Sequence, residues 1–293
     1  MKTGHKVAAY ALALVIVFGG AWAAGAAVGP LGDGTPSSDP GAMAHSGEAA
    51  ALPPGLSVSE NGYTLQILSA TPEIRFRITG PDGSPVTTFA VEHEKKLHLV
   101  LVRRDGSGYQ HLHPTMAADG TWSTPLTLSA AGSYRVFTDF RAEGGPKTTL
   151  GANIQVPGLY EPRQYATDQR SSIVDGYAVT ITGDLKAGAE STVTATVTKD
   201  GRPVTDLQKY LGANGHLVAL RSTDLAYLHV HPQDAPGSGP EVKFVVEVPT
   251  SGTYRLFLDF QHEGKVRTAD FTLATTGAAT TTTKEEGHAG HGG

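Results

Sequence analysis

The stretch GHLVALRSTDLAYLHVHP, Gly215 to Pro232, sets three histidines, His216, His229 and His231, in a background rich in strand-forming residues. The same pattern stands earlier as LHLVLVRRDGSGYQHLHP, Leu97 to Pro114, with His98, His111 and His113 at the equivalent places. A shift of 118 residues superimposes the two stretches without a gap, and between residues 82–114 and 200–232 the sequence is identical at 13 of 33 positions. Further on, SYRVFTDF (Ser133–Phe140) returns as TYRLFLDF (Thr253–Phe260) after an insertion of two residues. Identity at this level marks an internal duplication, and two copies of about 100 residues each make tandem domains, not a solenoid.

Both copies read as β structure. In EIRFRITG, Ile74, Phe76 and Ile78 alternate with Glu73, Arg75, Arg77 and Thr79, the period of a half-buried strand. A turn follows at Gly80-Pro81-Asp82-Gly83, and Asp200-Gly201 repeats it after TVTATVTK. LHLVLVRR is apolar on both faces and predicts a central strand. The FAVEHEKK run (Phe89–Lys96) allows at most one helical turn. Tyr134 and Tyr254, each in a G-x-Y-x-x-F pattern, match the tyrosine corner of immunoglobulin-like sandwiches. The expected fold is all-β, with two tandem immunoglobulin- or cupredoxin-like β-sandwiches at 57–156 and 172–275, joined by a polar connector at 157–171.

The flanks differ in character. After a basic flank at 1–6, the run Val7–Gly29 is uncharged over 23 residues, enough to span a bilayer as a helix. The small residues after Trp22 also suit signal cleavage. Either a membrane anchor or a signal peptide follows, and with the positive flank inside, both copies lie on the outer face. Residues 30–56, rich in Gly, Pro, Ser and Ala, predict a flexible linker. The threonine-rich tail, 276–293, predicts disorder and carries His288 and His291, glycine-spaced imidazoles that can collect divalent metal ions weakly.

Composition narrows the chemistry. With no cysteine among 293 residues, disulfides and thiolate metal sites are excluded. Methionine occurs three times, too few for a thioether-rich copper(I) site. A net charge of −5, with scattered lysines and arginines, argues against a nucleic-acid partner. No nucleophile elbow, phosphate loop or H-E-x-x-H helix is present, so an enzyme is not expected.

The histidines are what remain. His-x-His on a strand puts two imidazoles on one face, and a hairpin to the preceding strand brings a third within reach. One set is therefore His98, His111 and His113, the other His216, His229 and His231. Asp139 and Asp259, in the repeated F-x-D-F motif, are candidate fourth or outer-shell ligands. The second copy alone adds His262, which favours it as the better site. Three imidazoles suit Cu(II) or Zn(II). Against this stands a structural reading: His98 shares a face with Val100 and Val102, and His216 with Val218 and Leu220, as hydrogen-bonded core histidines would.

The second copy, through YLGANGH, YLHVHP and Y-R-L-F-x-D-F over roughly residues 190–273, resembles a domain of bacterial exported and membrane-anchored proteins associated with heavy-metal and copper handling. The first copy resembles a diverged version of it. The resemblance implies small β-sandwiches and a metal-related role. Members often have methionine before the Gly-His; Asn214 stands there instead, which tilts the implied metal from copper(I) to Cu(II) or Zn(II). The expected function is thus a non-catalytic metal-binding accessory to metal resistance, anchored through 7–29. The alternative is an immunoglobulin-like structural or protein-interaction module with structural histidines and a protein partner the sequence does not identify.

Overall fold

The computed structural model describes residues 52–228, 230–233 and 237–276. The hydrophobic segment 7–29, most of the linker, His229 and the tail with His288 and His291 lie outside them. Among the described residues no helix is long and apolar enough to cross a membrane.

The first copy comprises β1 (Ser59–Glu60), β2 (Tyr63–Ser69), β3 (Glu73–Thr79), β4 (Leu97–Arg103), β5 (Gln110–Leu112), β6 (Thr115–Met116), β7 (Trp122–Pro125), β8 (Gly132–Arg141) and β9 (Lys147–Val156). The second comprises β10 (Ser171–Val174), β11 (Tyr177–Thr182), β12 (Leu185–Lys186), β13 (Ala189–Lys199), β14 (Arg202–Pro203), β15 (His216–Arg221), β16 (Tyr227–Leu228), β17 (Val230–Gln233), β18 (Glu241–Val248), β19 (Thr253–His262) and β20 (Lys265–Thr276). Each copy is a two-sheet sandwich. In the first, the sheet β1-β2-β3-β7-β6 packs on β5-β4-β8-β9. In the second, β10-β11-β13-β18-β17, with β14 beside β13, packs on β12-β20-β19-β15-β16.

Alternation explains each core. Ile74, Phe76 and Ile78 of β3 are fully buried and meet Leu97, Leu99, Leu101, Val136 and Phe140 from the facing sheet. Burying one such side chain contributes about 1.5–3 kcal/mol. Tyr177, Val179 and Ile181 of β11 play the same part in the second core, which includes Phe244, Leu256 and Phe271. Both tyrosine corners form: Tyr134 donates to Ala130 O at 2.9 Å and Tyr254 to Thr250 O at 2.7 Å. The architecture is therefore the immunoglobulin-like one that the repeated motif predicts.

The expectation for the outer face of β4 needs correcting. All seven residues of β4 are buried, but His98, Val100 and Val102 do not face their own core. They pack against the other sandwich. A separate apolar cluster unites Val100, Val102 and Phe137 of the first copy with Val218, Leu220, Leu225, Tyr227 and Phe257 of the second. Tyr109 stacks on Phe257 with ring centroids 4.1 Å apart, and Phe137 lies 5.5 Å from Tyr227. The sheets carrying the repeated histidine motif thus meet outer face to outer face.

Two further segments depart from expectation. The end of the linker is tied down, with Gly55 N donating to Thr149 O, Gly151 N to Ser57 O and Tyr227 N to Pro54 O. The FAVEHEKK run is not helical; it forms a bridge at Phe89↔Ala142 and a tight turn at Glu92–Lys95. The connector is also fixed: Arg163 N donates to Asp105, and Tyr165 lies over the Arg255 guanidinium at 3.6 Å.

Candidate metal centre at the junction of the two sandwiches

Register places the candidate residues before any side chain is considered. Directly opposed residues of an antiparallel pair share a face. In the first copy His98 opposes Asp139, which opposes Thr149; in the second His216 opposes Asp259, which opposes Thr268. His111 opposes Val100, so it too faces the junction, and His113 follows two residues on. Each aspartate accepts its threonine hydroxyl, Thr149 to Asp139 at 2.9 Å and Thr268 to Asp259 at 2.5 Å.

From this common frame the copies diverge. The three imidazoles of the first copy converge: one ring nitrogen from each of His98, His111 and His113 lies within 4.8 Å of the others. In the second copy, β16 ends at Leu228, and the chain joins the opposite sheet at Val230, paired with Val246. The first copy makes that crossing only at Thr115, three positions later once the repeat shift is applied. His113 precedes the crossing and stays at the junction. His231 follows it, lies on the far sheet and is 3.9 Å from Glu247. The structure therefore separates His231 from His216, and His229 falls outside the described residues.

His216 instead joins the first copy's set. Its ring stacks parallel to His98 at 5.5 Å and lies 4.9 Å from His111. Asp259 crosses as well: its carboxylate accepts from His111 Nδ1 at 2.8 Å, and both side chains are at most 3% exposed. Asp139 stays within its own sandwich, 3.4 Å from Lys147 Nζ. His262, expected beside the second site, is elsewhere, held by Tyr177 Oη at 2.7 Å and Asp206 at 3.0 Å.

Burial disfavours the charged form of His98, His113 and His216. Burial first, then the neighbouring ring of His111, holds His98 down at about 4. Burial, then His111 and His98, holds His113 at about 3, and burial pushes His216 well below its ordinary value. Two phenols close the site, Tyr109 raised well above its usual value and Tyr210 to about 12, both by burial and then Asp259. Neutral imidazole is the form that coordinates metal ions.

Hydrogen-bond bookkeeping fixes the tautomers of two rings. His98 Nε2 is 3.1 Å from Glu92 O, and a carbonyl only accepts, so the proton of neutral His98 is on Nε2. By the same reasoning His111 keeps a proton on Nδ1 and donates it in a hydrogen bond to the carboxylate of Asp259. Lone pairs are then left on His98 Nδ1 and His111 Nε2, which face each other at 3.1 Å. Two neutral rings so placed repel; the contact is relieved by a metal ion between the nitrogens or by a second proton on His111, which the Asp259 carboxylate can support. His113 Nε2 is also buried without a hydrogen-bond partner.

Sequence reasoning did not anticipate His93, whose ring is 6.1 Å from His98 and 5.8 Å from His216, nor Tyr210, 6.2 Å from His113. The available signal for a junction was the second apolar face of LHLVLVRR, which a two-sheet sandwich does not need for its own core.

The chain matches a family model, described as Domain of unknown function (DUF8832), twice, at residues 55–158 and 172–277. None of the curated proteins matches the sequence. Among solved structures, similarity is found to the Escherichia coli adhesin FdeC, at 13% identity and TM-score 0.24, covering 75% of this chain and 66% of that one. Domains 4 and 5 of the S-layer protein SbsC give 12% identity and TM-score 0.23, covering 75% and 100%. Invasin, a bacterial integrin-binding protein, gives 15% and 0.23, covering 78% and 39%. The chain thus spans just under two thirds of the adhesin and less than half of invasin. At such scores the sandwich assignment rests on strand order and the tyrosine corners, not on these neighbours.

Proposed function

The chain belongs to the family described as Domain of unknown function (DUF8832), as a tandem pair, and from that premise we propose that it is a non-catalytic module binding Cu(II) or Zn(II) where its two copies meet. One observation carries the reading: His98 Nδ1 and His111 Nε2 lie 3.1 Å apart, and with both rings neutral and protonated on their other nitrogens both are acceptors. With metal–nitrogen bonds of about 2.0–2.1 Å, that separation subtends an angle of about 100° at an ion, between square-planar and tetrahedral values. Tetrahedral ligands at those bond lengths sit about 3.4 Å apart, so bringing in His113 asks for a closure of at most about 1.4 Å. The absence of cysteine and the scarcity of methionine leave imidazole as the donor, which favours Cu(II) or Zn(II) over copper(I).

In this reading the module stands outside the cell, held or exported through residues 7–29, and serves metal handling or resistance as an accessory. His98, His111 and His113 bind the ion, Asp259 orients His111, and His216 covers the site from the second copy. The tail imidazoles His288 and His291 form at most a weak auxiliary site.

Asp259 also favours a second reading, in which the module is structural. A buried carboxylate 2.8 Å from His111 Nδ1 can hold that ring as an imidazolium, whose second N–H then donates to His98 and ties the sandwiches together without metal. Titration separates the two. The full chain carrying His288→Ala and His291→Ala, so that the tail contributes nothing, is expected to bind one Cu(II) or Zn(II) ion saturably. Replacing His98 and His111 by alanine abolishes that binding, whereas His262→Ala leaves it unchanged. No saturable binding, or binding indifferent to His98 and His111, leaves the structural reading.

A further inference from the structure

Beside the histidine cluster, Glu92–Lys95 forms a four-residue turn in which Glu92 N donates to Lys95 O at 2.8 Å and Lys95 N to Glu92 O at 3.0 Å. The central residues, His93 and Glu94, have φ of +47° and +65°. Two successive positive φ values define a type I′ turn, which favours Asn-Gly, Asp-Gly or Gly-Gly. Histidine followed by glutamate is a strained choice for it. The second copy provides an internal comparison. Its equivalent turn, Tyr210–Ala213, has the same paired hydrogen bonds, and its central residues are Leu211 and Gly212, at +57° and +83°. Glycine there accepts the left-handed backbone without strain. The fold therefore has an easier sequence for this turn, and the first copy departs from it.

What the departure provides is an imidazole. His93 is exposed, and its ring lies 6.1 Å from His98 and 5.8 Å from His216. Separations among His98, His111 and His113 themselves are 4.8–5.3 Å, so His93 stands slightly outside the set, on its solvent side. The turn is also coupled to the set, because Glu92 O accepts both from Lys95 N and from His98 Nε2. We propose that His93 is a further metal ligand. It takes a hydrated Cu(II) or Zn(II) ion from solvent, passes it to the three inner imidazoles and stays on it as the fourth donor. The inference rests on the metal-binding reading above and adds to it an entry route and a fourth ligand.

The test rebuilds the first copy's turn in the image of the second. In the full chain with His288→Ala and His291→Ala, the pair His93→Leu and Glu94→Gly reproduces the Leu211-Gly212 turn. The metal-free variant is expected to melt at or above the parent's temperature. Its Zn(II) affinity, measured by competition with a chromophoric chelator, is expected to fall by more than the ~10–100-fold that loss of an outer-shell partner costs. The Cu(II) electron paramagnetic resonance spectrum should lose one coordinated nitrogen. His93→Asn, which suits the left-handed backbone but has no imidazole, repeats the test without touching Glu94. Parent-like affinity and nitrogen count in either variant overturn the role of His93 while leaving the inner site intact. A parent that binds no ion removes the metal-binding reading itself, and this inference with it.

Discussion

His111 of the first copy and Asp259 of the second share a hydrogen bond of 2.8 Å at a place where both side chains are almost wholly withdrawn from water. Neither residue has that partner within its own sandwich. The carboxylate fixes which nitrogen of His111 carries the proton, so a group on one copy sets the donor properties of a ring on the other. Carboxylate–imidazole–metal arrangements act in this way, and their loss typically costs 10–100-fold in metal affinity.

Asp259→Asn is therefore expected to weaken Zn(II) binding about 10–100-fold, read by chelator competition. Asp139→Asn, at the equivalent position but bonded to Thr149 and near Lys147, is expected to change it little. Equal losses in the two variants would show that the cross-copy contact is not what orients His111.

The metal-free protein should lose stability with acidity over a defined window. His98 titrates at about 4 and His113 at about 3 in the folded state, whereas unfolded histidine titrates near 6.5. Above about pH 6.5 both states are neutral and these rings add no pH dependence. Below it the unfolded chain takes up protons that the folded chain refuses, so stability falls as pH drops through 6.5 towards the folded values, by about 1.4 kcal/mol per pH unit per ring at most. Urea unfolding between pH 7.5 and 4.5 checks the sign; a midpoint that rises on acidification contradicts it.

A bound ion should act in the opposite direction. Zn(II) at 100 times its dissociation constant is expected to add about 2.7 kcal/mol to the free energy of unfolding, raising the melting temperature, and a chelator reverses the gain. A melting temperature indifferent to both, in a protein whose His98→Ala plus His111→Ala variant is destabilised, is the outcome of the structural reading.

Phe257 lies in the apolar seam between the sandwiches, stacked on Tyr109 at 4.1 Å. Phe257→Ala is expected to cost about 3–5 kcal/mol, and to cost it at the seam, since neither sandwich's own core includes that ring. Calorimetry should then resolve two transitions where the parent shows one. A single transition at the parent's temperature would show that the seam contributes little.

Much of this fold was legible in the sequence because its signals are local. Alternation in EIRFRITG, the Asp-Gly turns and the G-x-Y-x-x-F motif each depend on a few neighbouring residues, and the 118-residue repeat doubles each of them. The candidate site was only half legible. That His98, His111 and His113 could converge follows from strand periodicity. That His231 could not follows from where β17 leaves its sheet, a three-position difference between copies that no local pattern carries. His98 and His216 were expected to face their own cores because a strand's second apolar face normally means burial within its sheet pair. Here it means burial against the other copy. His93 was invisible for a related reason, since its position depends on a turn whose backbone its own sequence disfavours.

The seam pairs Tyr109 with Phe257 and Tyr227 with Phe137, so each copy offers the other the same two residues, as in an isologous dimer. Here both protomers are written into one polypeptide. Dilution cannot separate them, because the tether keeps the second copy at a high effective concentration. A site built across the seam is therefore complete in a single molecule at any expression level. Fusion also frees the halves from identity: a true homodimer must repeat every substitution on both sides, whereas this chain can keep His93-Glu94 in one half and Leu211-Gly212 at the equivalent place in the other.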